Sequence, residues 1–364
     1  MNARYCIGID ASRSVTDQPT GTELYSRLLI DALLDRAPDR FAFRLYFNQP
    51  PRFRINPQRS EIRNLRFARL WTHVRLSSEM ALHPPDVLFV PSHVLPIIHP
   101  RRSVVTVHDL GYHYFPETHP SQQRWYLDVT TRWHTVTAAR VLADSQATKR
   151  DLIDRYGARP DRITVAYPGL DPSVKRVDDP AEIARVKAKY GIEGAYVLYL
   201  GTLQPRKNLS RLIAAYRKSA CTWPLVLAGK RGWYYEQLIK EAGNGVRFIG
   251  YVDEADKAAL LSGAEAFAFP SLYEGFGFPV LEAMACGVPV LCSNTSSLPE
   301  VAGEAALQVD PLNVDEIAAG LRRITLDTDL RRTLIERGLR QAQRFTWSAC
   351  ADVVLGVFEE VLTG

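Results

Sequence analysis

Two doubly wound α/β domains are predicted from three observations. At 364 residues the chain is longer than one hydrophobic core usually serves. Short apolar, β-branched runs alternate with longer amphipathic stretches, and this rhythm restarts half-way along. Between the halves lies YPGLDPSVKRVDDP (167–180), rich in Pro, Asp and Gly and without periodicity, as linkers are.

The first series of candidate strands is YCIGID (5–10), FAFRLYF (41–47), DVLFV (86–90), SVVTV (103–107), RVLA (140–143) and RITVA (162–166). The second is YVLYL (196–200), PLVLA (224–228), VRFIG (246–250), AFAFP (266–270), PVLCS (289–293) and AALQV (305–309). Continuous apolar runs suit parallel strands covered on both faces, and the intervening helices make βαβ units. The expected boundaries are 1–172 and 173–345, followed by a helix over 346–364, where FTWSACADVVLGVFEEVL carries apolar residues at helical spacing. Ligands of doubly wound sheets sit beyond the carboxyl ends of the strands, so two such sheets are expected to face each other across a cleft.

Composition narrows the class. With 46% apolar and 23% charged residues the chain reads as an ordinary soluble globular protein. A net charge of +5 permits a basic patch without arguing for nucleic acid. Five scattered cysteines form no CxxC or Cys/His cluster, so a zinc site is not expected and a reducing cytoplasm is. Arg4 followed by YCIGID does not read as a signal peptide, and no run approaches the ~18 apolar residues of a membrane-spanning helix.

The densest signal is FAFPSLYEGFGFPVLEAMACGVPV (267–290). A strand ends in a loop, Pro279 stands at a helix first-turn position, and Gly287 stops that helix. Gly275 and Gly277 allow close approach of a ligand to the backbone. The N–H groups of the Phe278–Val280 turn, with the helix dipole, are expected to receive a diphosphate. Glu274 and Glu282 offer carboxylates able to accept from sugar hydroxyls, although acids near a helix start also serve the dipole alone.

In YLGTLQPRKNLSRLIAAY (199–216) a strand ends at Gly201 and a loop carries Arg206 and Lys207 into a helix. Such a pair of cations is either solvated or suited to a diphosphate leaving group. In VVTVHDLGYHYFPE (104–117) His108 follows a strand, as a base, a sugar hydrogen-bonder or a satisfied loop residue. In QPTGTELYSRLLIDALL (18–34) Thr20 and Glu23 have capping-box spacing, and Gly21 brings main-chain N–H groups near the helix start. Ser297 and Glu300 share that spacing. The DTD at 327–329 reads as a solvated turn.

Between residues 50 and 75 stand Arg52, Arg54, Arg59, Arg63, Arg66, Arg69 and Arg75 against one acid, Glu61, with Phe67, Leu70, Trp71 and Val74 interleaved. That pattern suits anionic lipid headgroups or a lipid-diphosphate acceptor, or else a solvated face with Trp71 in the core. No nucleic-acid motif accompanies the charge.

The 267–303 stretch resembles the ExFGxPxxEAxAxGxPV signature of the retaining glycosyltransferase family 4, whose GT-B fold is two facing Rossmann-like domains with a deep cleft. LGYHYFPE resembles the branch containing bacterial mannosyltransferases of polysaccharide assembly. The resemblance implies a metal-independent hexosyltransferase without a cofactor, which uses a nucleoside diphosphate sugar as co-substrate. GDP-mannose or a GDP-deoxyhexose is favoured over UDP-sugars, with a glycan or lipid-linked acceptor in surface polysaccharide synthesis. It places acceptor binding on the first domain and donor binding on the second, and brings the last helix back to the first. The expected location is the cytoplasm, with peripheral contact at the cytoplasmic face of the inner membrane through residues 50–75.

By this resemblance Glu274 contacts the donor sugar, Glu282 the ribose, and the backbone of Phe276, Gly277 and Phe278 the sugar and phosphates. His108 faces the donor sugar, and Gly21 lies against the diphosphate or acceptor. Lys207 matches the family's lysine beyond Gly201, whereas Thr202 stands where an arginine is usual, so that either Arg206 supplies the second cation or Lys207 acts alone. Gly250 and Tyr251 fall near the nucleotide base. A nucleotide-sugar epimerase, a phosphorylase or a non-catalytic nucleotide-sugar-binding protein are the rival readings.

Overall fold

A computed structural model describes residues 5–15, 21–51, 59–67, 69–92, 94–118, 120–232 and 235–364. The chain divides into two compact units. The first comprises Met1–Leu110, Pro120–Gly169 and Thr346–Gly364, and the second Gly111–His119 and Leu170–Phe345. Thr20, Arg52 and Arg54, singled out in the sequence, lie outside the described residues.

The first unit is built on a seven-stranded parallel sheet. Its strands are β1 (Tyr5–Asp10), β2 (Phe41–Phe47), β3 (Ser60–Asn64), β4 (Val87–Val90), β5 (Ser103–Val107), β6 (Arg140–Ala143) and β7 (Ile163–Val165), in the order β3-β2-β1-β4-β5-β6-β7. β4 and β5 are buried along their whole length, as strands covered on both faces must be. β3 was not foreseen. Its sequence SEIRN is a charged edge strand, and Arg44 and Arg63 both donate to Glu61 on its exposed surface. The terminal helix Trp347–Thr363 belongs to this unit, packs on the helix Gly21–Arg36, and is tied to it by an Arg36–Asp352 ion pair.

The second unit carries a six-stranded parallel sheet of β8 (Val197–Leu200), β9 (Leu225–Ala228), β10 (Val246–Gly250), β11 (Ala266–Phe269), β12 (Val290–Ser293) and β13 (Ala306–Val309), ordered β10-β9-β8-β11-β12-β13. Both sheets are doubly wound, the GT-B class expected. The segment 111–119 departs from the sequence boundary by joining the second unit, where Tyr114 stacks on Tyr273 at 4.7 Å.

The order of the second sheet fixes where a ligand belongs. β8 and β11 are hydrogen-bonded neighbours, yet the chain leaves them in opposite directions, to β9 and to β12. The crevice beyond their carboxyl ends is the topological switch point, the usual ligand position in such sheets. The loops there are 201–208 and 270–277. These are the two segments that hold Arg206, Lys207 and Glu274.

Candidate functional site

The two switch-point loops meet on one carboxylate. Glu274 Oε1 accepts from Lys207 Nζ at 2.6 Å and from Ser271 Oγ at 2.6 Å, and Oε2 accepts from Arg206 Nη1 at 2.9 Å. The Lys207 ammonium lies 5.0 Å from the centre of the Phe269 ring, so its stem is buried and only its head reaches the site. Burial pushes the Glu274 pKa up. The charges of Arg206 and Lys207, with hydrogen bonds from Lys207 and Ser271, outweigh it and bring the carboxyl to about 2.

Several residues without an assigned role build this geometry. Asn208 adopts φ 62° and donates from Nδ2 to the carbonyls of Pro270 at 3.0 Å and Pro311 at 2.6 Å, which locks the 205–208 turn against the neighbouring loop. The run SNTSS (293–297) clamps the other loop. Ser293 Oγ donates to Ser271 O, Ser296 Oγ to Glu274 O, and Ser297 Oγ to the carbonyls of Glu274 and Phe276. Ser297 therefore corrects one expectation: its hydroxyl makes no capping bond to its own helix, Leu298–Ala302, and holds the acidic loop instead. A hydroxyl-rich run directly after β12 was the available signal.

The acidic loop ends at Gly277, whose φ of 116° suits a residue without Cβ. The helix Phe278–Ala285 follows, with Pro279 in its first turn and Gly287 (φ 72°) just past its end. The expected anion-binding turn is narrower than the sequence suggested. The N–H of Val280 donates to Gly277 O at 3.0 Å and Pro279 has none, which leaves the N–H of Phe278 at the helix start.

Glu282 lies on that helix and is buried, with Oε1 accepting from Lys257 Nζ at 2.8 Å. Gly201 and Gly229 are pressed together: a Cβ on Gly229 would stand 1.9 Å from the Gly201 carbonyl oxygen. Thr202 is exposed, and its main-chain carbonyl, not its side chain, is engaged, by Tyr199 Oη at 3.1 Å. Gly250 has φ 75°, and the exposed Tyr251 ring lies 5.1 Å from Lys230 Nζ. The Phe276 ring packs edge-on against Phe278. Asp327 caps the helix Thr328–Ala342 and Asp329 pairs with Arg332, so the DTD serves that helix.

In the first unit His108 is buried at the end of β5, where Nδ1 lies 2.7 Å from Asp144 Oδ2 at the end of β6. Burial opposes the imidazolium, but the Asp144 charge and hydrogen bond outweigh it and raise the His108 pKa. The Tyr25 ring meets His108 edge-on at 4.7 Å and Trp347 at 5.5 Å. Asp144 and Tyr25 were missed in the sequence, since Asp144 in LADSQAT looks like an ordinary helix lead-in. Gly21 is exposed as the first residue of its helix, and Glu23 pairs at 3.8 Å with Arg13.

Comparison with known proteins matches this architecture. The family model described as glycosyl transferases group 1 matches residues 182–341, and that described as Glycosyltransferase Family 4 matches residues 28–174. The chain belongs to glycosyltransferase family 4.

As a family 4 member it is a glycosyltransferase that takes a nucleotide sugar as donor. Among its relatives, the O-antigen chain mannosyltransferase B of Escherichia coli is 36% identical over 270 residues, covering 71% of this chain and 70% of that protein. The serotype-specific mannosyltransferase WbdA of Escherichia coli is 30% identical over 278 residues, covering 72% of this chain and 34% of that one. The match thus spans about a third of WbdA's length. Among solved structures, Anabaena Alr3699/HepE in complex with UDP and glucose aligns at a TM-score of 0.75 and 20% identity, covering 98% of this chain and 99% of that one. That likeness is one of fold.

Proposed function

We propose that this family 4 glycosyltransferase moves mannose, or a related deoxyhexose, from a GDP-sugar to a glycan or lipid-linked acceptor in surface polysaccharide synthesis, with retention and without a metal ion. The observation that carries the reading is the Arg206–Lys207–Glu274 cluster at the switch point of the second sheet. Two cations already gathered there suit a diphosphate on which charge develops, and they supply the positive charge that a metal ion would otherwise bring. Arg206 takes the part of the arginine absent at Thr202. The mannosyltransferase names of the two Escherichia coli relatives favour mannose.

In this reading the acceptor oxygen forms its bond to the anomeric carbon on the face from which the diphosphate leaves. The bonding pair of the breaking C–O bond goes to the diphosphate, and the departing phosphate oxygen takes the acceptor's proton. Lys207 and Arg206, with the helix starting at Phe278, stabilise that leaving charge. Glu274 holds the sugar, and Glu282 holds the ribose. The backbone of Phe276, Gly277 and Phe278 lines the donor, Gly201 lies near its phosphates, and Gly250 and Tyr251 lie near the base.

Three measurements test this. Transfer from GDP-mannose is expected to exceed transfer from UDP-sugars by at least tenfold, to persist in chelator, and to give the donor's anomeric configuration by the C1–H1 coupling of the product. An inverted product, or a clear UDP-sugar preference, refutes the corresponding part.

The reading also places residues 50–75 at an anionic membrane. No helix among the described residues is long and apolar enough to cross one. Phe67, Leu70 and Val74 are exposed beside Arg66 and Arg69, while Trp71 is buried and donates to Leu65 O at 2.6 Å. The helix Ser121–Thr137 extends this apolar surface with exposed Trp125 and Val129, joined to it by a 2.6 Å His73–Tyr126 hydrogen bond. Sedimentation with phosphatidylglycerol vesicles is expected, weakened by salt and by Leu70→Ser with Trp125→Ser, and absent with phosphatidylcholine. No difference between the two vesicle types removes the membrane from the proposal.

A further inference from the structure

Lys257 has no part in the reading so far, yet it is the cation placed against Glu282. It lies on the helix Glu254–Ser262, with Nζ 2.8 Å from Glu282 Oε1 and 2.9 Å from Glu254 Oε2. The three groups are graded in depth: the side chains of Glu282 and Lys257 are 10% and 12% exposed, and that of Glu254 59%. The tie joins two helices across the face of the second unit where Glu282 is presented. Two helices held by one buried ion pair fix the rotamer of both side chains.

We infer that Lys257 is a positioning residue: by engaging Oε1 it orients the Glu282 carboxylate so that Oε2 receives the vicinal diol of the donor's ribose. The inference rests on the reading that Glu282 takes the ribose. Its physical basis is the cost of burying a carboxylate without a counter-ion. The ionisable groups facing Glu282 are Lys257 and Glu254 from that helix, Asp171 from the segment after β7, and Cys286 just past the end of its own helix. Among the described residues Lys257 is the one cation in this set. Burial raises the Glu282 pKa, and the Lys257 charge and hydrogen bond work against that rise. Without Lys257 the carboxyl would take up a proton more readily, and a neutral carboxyl, with one oxygen turned into an O–H donor, accepts more weakly from the two hydroxyls of a diol than a carboxylate does.

The test is calorimetric titration of the full chain with GDP and 2′-deoxy-GDP at about pH 6 and about pH 8.5, on either side of neutrality. UDP and its 2′-deoxy form replace them if UDP binds more tightly. Lys257→Met is expected to weaken the ribonucleotide about tenfold or more, to erase the preference for ribose over deoxyribose, and to lose more affinity at the acidic pH than wild type does. Lys257→Arg keeps the charge and restores most of the preference. Because Lys257 acts through Glu282, adding Lys257→Met to Glu282→Gln is expected to cost nothing further, and this double variant leaves no buried unpaired charge to threaten the fold, since Glu254 is exposed. Wild-type affinity, sugar preference and pH profile in Lys257→Met would overturn the inference while leaving the donor reading in place. So would a full additional loss in the double variant. A wild-type chain that binds neither nucleotide brings down the donor reading and this inference with it.

Discussion

Lys207→Ala is expected to lower glycosyl transfer about a thousandfold, the scale of losing one preorganised group that stabilises developing negative charge. The reason lies in how Lys207 is held before any donor arrives. Its side chain is 9% exposed, its stem crosses Phe269, and its ammonium is fixed 2.6 Å from Glu274. A cation already in place reorganises little as the leaving diphosphate charges up. Glu274→Ala is expected to cost as much for two reasons at once: it removes a proposed sugar contact and releases the anchor of both Lys207 and Arg206. The two losses share one interaction, so the double variant should fall little below the worse single one. The surrounding fold should stand, because Asn208 and the serines of 293–297 hold the two loops through main-chain carbonyls that neither substitution touches. Steady-state kinetics and circular dichroism on the same preparations decide the matter. Near-wild-type turnover in both single variants ends the proposed role of the cluster.

How much of this was legible beforehand differs between sheet and site. Strands such as VLFV and VVTV announce themselves because burial on both faces demands continuous apolar residues, and that demand is local. β3 escaped for the opposite reason: an edge strand with solvent on one side can be SEIRN, which no apolar pattern distinguishes from a loop. In the site, Glu274, Glu282, Lys207 and Arg206 were visible because each stands in a strand–loop–helix setting with Gly and Pro at conformationally demanding positions. Their supports were not visible. Lys257 meets a partner 25 residues on, Asp144 one 36 residues back, and Asn208 one 103 residues on. Ser, Asn and Lys are common on surfaces, and only the folded arrangement of the loops and helices around each sheet shows which of them turn inward. The segment 111–119 is a related case. Its aromatic residues are plain in the sequence, but the stacking partner of Tyr114 lies at Tyr273, and no local rule assigns it to the second unit.

Glu274→Gln should also change the acid stability of the second unit, with a sign that follows from the pairing. The carboxyl titrates at about 2 in the folded protein against an ordinary value of 4.5. Between those two values the unfolded chain binds the proton and the folded chain does not, so wild-type stability rises with pH through that window. The contribution is fully present above pH ~4.5 and is lost as pH falls through ~2; at one pKa unit per ~1.4 kcal/mol it amounts to about 3 kcal/mol. Glutamine resembles the protonated acid in shape and cannot supply the charge that Lys207 and Arg206 require. Urea unfolding should therefore show the variant less stable than wild type by about that amount at neutral pH, with the two curves converging towards pH ~2. A difference that stays constant across the window would mean that Glu274 contributes through its shape and hydrogen bonds alone. Convergence would show instead that the cation pair at the switch point is stabilised by the same carboxylate that is proposed to hold the sugar. A donor that draws Lys207 or Arg206 towards its diphosphate then loosens a contact worth part of that stability. Full engagement of the cations becomes most favourable only when the sugar hydroxyls take up the carboxylate and the leaving group carries its developing charge.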